Sequence, residues 1–167
     1  MTACWPVLGF AALAGMRSAG APTLLSYYLV RHPAGALAAS PLRLLQQPAV
    51  AGALTLAATK EFKHDKNPDA APRTAARGLS FRTMGGALVG ATWYKATGQN
   101  ALPGALLGGL GAAAATFGWY QLRKAITKKA ALPPQVVGLA EDILLWSAGA
   151  VLLHYLPRPA APDTAAG

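Results

Sequence analysis

A single arginine interrupts the first apolar stretch of this chain, which runs from about residue 4 to residue 30. Arg17 is the only charged residue in that range, and it is flanked by Gly15, Gly20 and Pro22. A charged side chain at the centre of a bilayer costs about 2.5–3.5 kcal/mol on insertion scales. The arginine therefore predicts a receiving group elsewhere in the protein, and the glycines and proline indicate a helix that is unwound at this point.

Four further apolar stretches follow at about 46–62, 79–97, 101–122 and 134–156. Hydrophobic residues make up 53% of the chain and charged residues 13%, about half of the usual charged share of roughly 25%. A membrane-spanning helix needs about 20 mostly apolar residues, which the last two stretches reach. The sequence predicts one all-α, polytopic membrane bundle of about five spans over residues 1–156. Residues 157–167 are rich in Pro and Ala and are predicted to be a disordered tail.

Basic residues outnumber acidic ones by 15 to 6, and they concentrate between the apolar stretches. In the five-span arrangement one side holds Lys60, Lys63, Lys66, Arg73, Arg77, Arg82, Arg123, Lys124, Lys128 and Lys129. The other side holds only Arg31, Arg43, Lys95 and Arg158. The positive-inside rule then predicts a multi-pass protein of the inner (plasma) membrane with a cytoplasmic N-terminus and an external C-terminus. The alternative is a basic peripheral protein, but no nucleic-acid motif is present and we expect no nucleic-acid partner.

The same arrangement predicts an inverted repeat. Spans 1 and 4 would run in opposite directions, so that spans 1–2 and spans 4–5 would be related by pseudo-symmetry, as in many transporters. The sequence support is a short similarity between residues 26–31 and 118–123, each an aromatic pair followed by an arginine.

Carboxylates accompany the basic residues at two places. Glu61 and Asp65 are four residues apart, hence on one face of a helix, and Lys66 follows. They fit a cation or proton site, or ordinary pairing with neighbouring cations such as Arg73. The candidate polar site contains nine residues in all: Arg17, Glu61, Asp65, Lys66, Arg73, Arg82, Arg123, Glu141 and Asp142.

Glu141 and Asp142 lie inside the fifth apolar stretch, about two turns after a Pro-Pro pair that can start a helix. They fit a favourable interaction with the helix dipole, or an intramembrane carboxylate that pairs with Arg17, Arg82 or Arg123. Arg17 itself has three open roles: a counter-charge or anion site, a structural ion pair between two helices, or the polar end of a short interfacial helix.

Small residues recur along the fourth stretch at spacings of three and four: Gly104, Gly108, Gly111, Ala115 and Gly118. Such a stripe lies on one helix face and permits close helix packing in membranes, within the chain or with a second copy. We expect no metal or cofactor, because His32, His64 and His154 are far apart and no phosphate loop, nucleophile elbow or dinucleotide fingerprint occurs. The sequence therefore predicts a protein that is not an enzyme.

These residues together resemble a family of small bacterial integral membrane proteins that is catalogued as domain of unknown function 4126. The resemblance covers about residues 8–150 and rests on residues 14–18 with Pro22, Glu61 with Asp65 and Lys66, residues 72–74, Arg82 with Gly85 and Gly86, the glycine stripe with Arg123, and Glu141 with Asp142. It implies a multi-span protein of the bacterial inner membrane and supplies no activity.

Two functions fit this pattern. The first is a small transporter or channel-like protein in which Arg17 faces Glu141, Asp142 or Glu61 across a narrow polar cavity, with Glu141 as proton or cation carrier. The second is a non-transporting membrane scaffold or accessory subunit whose buried charges are structural ion pairs. The bilayer is the expected partner in both. A homodimer is also compatible with so short a chain, and the sequence identifies no solute or ion.

Overall fold

The described residues of this protein form an all-helical fold. The computed structural model describes the backbone of residues 4–64, 76–130 and 134–161, and it contains no strand within those ranges. The six α-helices of these ranges are α1 (Trp5–Met16), α2 (Gly20–Arg31), α3 (Pro48–His64), α4 (Ala76–Ala96), α5 (Ala101–Ala130) and α6 (Pro134–Tyr155). Two short 3-10 helices, Gly35–Leu37 and Pro41–Gln46, connect α2 to α3. The predicted all-α fold class is confirmed.

Two of these helices contain segments that are long and apolar enough to cross a membrane, Ala101–Thr127 in α5 and Val136–Tyr155 in α6. Only 28% and 22% of their most apolar windows are buried in the protein. Helices of such composition in the core of a water-soluble protein would be mostly buried. Helix α1 is also apolar, but its 12 residues are too few to span a bilayer.

The first apolar stretch is two half-length helices with a break at Arg17. Helix α1 ends at Met16, Arg17 is extended with φ −142° and ψ 126°, and α2 begins at Gly20. The amide of Arg17 still donates to the Leu13 carbonyl, which closes the last turn of α1. The predicted unwinding at the arginine therefore occurs between two helices of 12 residues each.

The two half-helices run in opposite directions and form a hairpin. Early in α1, Gly9 contacts Leu152 near the end of α6, while Arg17 reaches Asp142, ten residues earlier in α6. Helix α2 then returns along α6, where Leu24 contacts Gly149. The prediction that residues 4–30 form one span is therefore wrong, because the chain turns back at its middle.

Both described ends of the chain lie at the same end of the bundle. The Cys4 thiol and the Tyr94 hydroxyl are 3.3 Å apart, and the rings of Tyr28 and Trp93 are 6.3 Å apart. The Tyr28 hydroxyl donates to the Leu156 carbonyl at 3.2 Å. These contacts contradict the predicted placement of the two termini on opposite sides of the bundle.

The hairpin also removes the predicted inverted repeat of spans 1–2 and 4–5. That relation requires the first stretch to run antiparallel to α5 along its whole length. Helix α1 instead runs parallel to α5, since Ala11 contacts Gly111 and Gly15 contacts Ala115. The four continuous helices α3 to α6 alternate in direction around this hairpin.

Four of the five members of the small-residue stripe on α5 lie against other helices of the same chain. Gly104 and Gly108 meet Gly90 and Gly86 of α4 so closely that a Cβ at any of these positions would overlap the opposing backbone. Gly111 and Ala115 face α1. A Cβ added at Gly118 would have no neighbouring atom within 4 Å, so this last member does not contribute to the packing.

The first residues of the predicted tail are held against the fold. The Pro157 carbonyl accepts from the Tyr28 hydroxyl at 3.3 Å, and the Ala160 carbonyl accepts from the Gly35 amide at 3.1 Å. Residues 162–167 lie outside the described part of the chain.

Candidate functional site

The break at residues 17–19, which we call the hairpin tip, is where the chain needs polar partners. A helix that ends leaves backbone carbonyls without intrahelical partners, and a helix that begins leaves amides without them. At the tip one helix ends and another begins within three residues, in the middle of the bundle. Those amides and the Arg17 guanidinium must therefore be satisfied by other parts of the protein.

Arg17 forms a closed ion pair with Asp142 of α6. Its Nε donates to Asp142 Oδ1 at 2.9 Å, and its Nη2 lies 2.8 Å from the same oxygen. The two residues are only 7% and 8% exposed. Of the carboxylates that the sequence offered to Arg17, the structure brings Asp142 to the guanidinium, whereas Glu141 lies beside Arg123.

The second carboxylate oxygen of Asp142 is in a different situation. Oδ2 is buried and makes no hydrogen bond to any residue that the structure describes, because both guanidinium contacts converge on Oδ1. A buried oxygen that carries part of a negative charge costs free energy when it has no donor. Only one of the two carboxylate oxygens of Asp142 therefore takes part in the ion pair.

Glu61 of α3 satisfies the amides at the start of α2. Its Oε1 accepts from the Ser18 amide at 3.0 Å and its Oε2 accepts from the Ala19 amide at 3.1 Å. A carboxylate at this position also interacts favourably with the positive end of the helix dipole. No side chain of the N-cap residue Ala19 could do this, so a helix distant in sequence supplies the cap.

Helix α4 packs closely against the tip. A Cβ at Gly85 would lie 2.5 Å from the Ser18 carbonyl oxygen, so only glycine permits this approach. Arg82, three residues earlier in α4, is 6% exposed and is a further buried cation in this part of the helix. On the α6 side Gly20 meets the side chain of Leu145.

A second ion pair joins α5 to α6. Arg123 Nη1 donates to Glu141 Oε2 at 3.2 Å, with side chains 21% and 12% exposed. Asp142 follows Glu141 in the helix but points in another direction, because adjacent residues in an α-helix do not share a face. Each of the two adjacent carboxylates therefore pairs with a different arginine.

Three residues of the predicted site, Asp65, Lys66 and Arg73, lie outside the described residues. Of the other six, the structure brings Arg17, Glu61 and Asp142 to the hairpin tip, and Arg123 with Glu141 forms the separate pair. Sequence reasoning missed that Glu61 binds backbone amides. The sequence contains no clear signal for this role, because Ser18 is itself a capping type of residue and only the structure shows that Ala19 is the N-cap residue.

Two cavities lie near the hairpin tip, a larger one between α1, α5 and α6 and a smaller one between α5 and α6. Met16 lines the larger one, and the pair Arg123 and Glu141 lines the smaller one, whereas Arg17 and Asp142 line neither.

In the described ranges no three His, Cys, Asp or Glu side chains are grouped as metal ligands would be. Comparisons with protein-family models, curated proteins and solved structures find no match.

Proposed function

We propose that this chain is an integral membrane protein with four spans, α3 to α6, and a re-entrant hairpin formed by α1 and α2. The exposed apolar side chains of α5 and α6 support this proposal; they include Leu102, Leu106, Leu110, Phe117, Leu139, Ile143 and Val151, which are 49–71% exposed. Contiguous apolar surface of this extent marks a membrane or protein contact. The non-helical tip would be tolerated at membrane depth because it is buried in protein.

The charge distribution supports one orientation of these four spans. The end of the bundle that holds both described ends carries Arg31, Arg43, Lys95 and Arg158, whereas the ten other basic residues outside the tip lie, by sequence, in or toward the α3–α4 and α5–α6 connections. By the positive-inside rule both termini face outward and the α3–α4 and α5–α6 connections face the cytoplasm. The location would be a bacterial inner membrane, in keeping with the family resemblance described above.

For the activity, we propose a non-transporting membrane scaffold or accessory subunit rather than a transporter. The observation that carries this proposal is the closed pair between Arg17 and Asp142, with two contacts below 3 Å and both residues buried. The ion pair connects the hairpin tip to α6, and the Glu61 cap connects α3 to the start of α2. Removing one member of such a pair is costly, so the pair fixes one arrangement of the helices.

A small transporter or channel-like protein is the second candidate, and two features favour it. Discontinuous helices whose half-helix N-termini face a polar site are typical of transporters, and α2 begins in this way at the tip. Asp142 Oδ2 has no hydrogen-bond donor among the described residues, so one oxygen of this buried carboxylate could accept a proton or bind a cation. In this candidate Asp142, rather than Glu141, is the carboxylate beside Arg17.

Flux measurements separate the two activities. The protein is reconstituted into vesicles, and the fluxes of H⁺, K⁺ and Cl⁻ are measured against protein-free vesicles. The scaffold proposal expects no additional flux from the wild type. A flux that is present in the wild type and lost in a folded Arg17→Lys variant, which retains the positive charge, would replace the scaffold with the transporter.

Thiol labelling tests the membrane arrangement. In a Cys4→Ser background, Ala161→Cys reports the C-terminal end and Lys124→Cys reports the opposite end, while Cys4 in the wild type reports the N-terminus. We expect a membrane-impermeant maleimide on intact cells to label Cys4 and Ala161→Cys, and Lys124→Cys only after permeabilisation. Labelling of Cys4 only after permeabilisation would support the five-span arrangement predicted from the sequence. Release of the protein from membranes by carbonate would show that it is a peripheral protein.

A further inference from the structure

An apolar groove runs between α1, α5 and α6 and is used neither by the hairpin tip nor by its cap. It consists of two open cavities of about 390 and 160 Å³, both lined by Trp119 and Leu144. We call these two cavities together the α5–α6 groove. Because its walls belong to the two most apolar long helices, the groove opens on the surface that would face lipid in the proposed membrane arrangement.

The lining of the larger cavity is apolar along its length. Leu13 and Met16 of α1 line it together with Leu144 and Ala148 of α6, and Trp5 and Tyr155 lie at its far end. An occupant of this cavity must be apolar, since a polar group would lose its hydration without gaining a partner.

The smaller cavity has one basic residue in its lining, Arg123. Lys124, the next residue of α5, is exposed and is not part of the lining. Val136 and Val137, in the first turn of α6, line the same cavity, so the positive end of the α6 dipole lies there as well. Glu141 offsets part of the Arg123 charge through their ion pair. The groove thus combines a long apolar section with one cationic end, as an anionic phospholipid requires.

We propose that the α5–α6 groove binds one anionic phospholipid of the cytoplasmic leaflet, with an acyl chain in the apolar section and the phosphate at Arg123 and Lys124. Basic pockets between membrane helices bind the headgroups of such lipids. The larger cavity has the volume of a small-molecule pocket, about 300–1,000 Å³, which suits an acyl chain better than a partner helix about 10–12 Å across. The proposal rests on the membrane arrangement proposed above.

Quenching of tryptophan fluorescence by acyl-brominated lipids tests this site. A variant that keeps only Trp119 reports the groove, and a variant that keeps only Trp146 reports bulk lipid, because Trp146 is 45% exposed and lines neither cavity. Both are reconstituted with brominated phosphatidylglycerol or brominated phosphatidylcholine, and circular dichroism checks that each remains helical. We expect Trp119 to prefer the anionic lipid by about fivefold and Trp146 to show no headgroup preference.

Substitutions at the cationic end then test the role of the headgroup. Lys124→Gln, and the double change Arg123→Gln with Glu141→Gln that leaves no unpaired charge, should each reduce the preference of Trp119. Lys95→Gln, at the opposite end of the bundle, is the matched control and should retain it. Ala140→Phe, an exposed position that lines the smaller cavity, should reduce quenching of Trp119 by either lipid.

The outcomes separate this proposal from the membrane arrangement on which it rests. Equal quenching of Trp119 and Trp146 without headgroup preference would overturn the lipid site and leave the membrane arrangement intact. Quenching of Trp146 with a protected Trp119 would also overturn it, because a partner helix or second copy would then fill the groove. If neither tryptophan is quenched, the membrane arrangement itself fails.

Discussion

The ion pair at the hairpin tip can be tested with a double-mutant cycle on Arg17 and Asp142. The changes are Arg17→Leu, Asp142→Leu and both together, measured as thermal unfolding by intrinsic tryptophan fluorescence in detergent. Each single change removes one member of a buried ion pair, which costs about 3–5 kcal/mol, whereas joint replacement by apolar residues is often neutral or stabilising. The burial of both residues and contacts at 2.8 and 2.9 Å place this pair in that class.

The magnitude should be visible as a shift in melting temperature. For a protein of 150–250 residues, about 1 kcal/mol corresponds to roughly 2–4 °C, so each single change should lower Tm by about 6–20 °C. The double variant should melt nearer to the wild type than either single variant does. The matched cycle on Glu141 with Arg17 should show additive effects, because these two residues do not form a pair. Additive losses for Arg17 and Asp142 would refute the reasoning, since they would mean that the pair contributes no coupling.

Three further outcomes follow from the packing and caps described above. Glu61→Gln removes the charge from an acceptor of two backbone amides and should cost about 1–3 kcal/mol, measured as unfolding in detergent; an unchanged stability would exclude the cap. Gly90→Ala should destabilise the fold by about 1–3 kcal/mol, because the new methyl group meets the backbone of α5. Gly118→Ala, which adds a methyl group in open space, should be neutral or stabilise by up to about 1 kcal/mol. Equal effects of the two changes would contradict the packing. Breaking the pair of Arg123 and Glu141 by Arg123→Gln should cost less than Arg17→Leu, because these side chains are 21% and 12% exposed; a larger loss of Tm would contradict this order.

The sequence predicted the helices well because hydrophobic runs and their interruptions are local features. Arg17 with its neighbouring glycines correctly indicated a break, and all five apolar stretches became helical. The same break led to the main error of the sequence prediction, which was that residues 4–30 form one span. Local sequence does not specify whether a chain continues or reverses after an interruption, and only the contacts of Gly9 and Leu24 with α6 show the reversal.

The partners of the charged residues were less predictable than the charges themselves. Glu141 and Asp142 are equivalent candidates in the sequence, and the angle between adjacent helical side chains allows only one of them to face Arg17. The structure selects Asp142 because the register of α6 places that residue at the hairpin tip. The amide-binding role of Glu61 depends on the direction in which α3 runs beside α2, which no local pattern encodes.

The wide separation of Arg17 and Asp142 along the chain has a consequence for the order of assembly. They are 125 residues apart, and Asp142 belongs to α6, which is synthesised after all the other helices described above. At about 5–20 residues per second, roughly 6–25 s pass between the synthesis of the arginine and that of its partner. Throughout that interval the Arg17 guanidinium lacks its contact with Asp142, so in the proposed membrane arrangement the hairpin tip cannot reach its final state before α6 emerges.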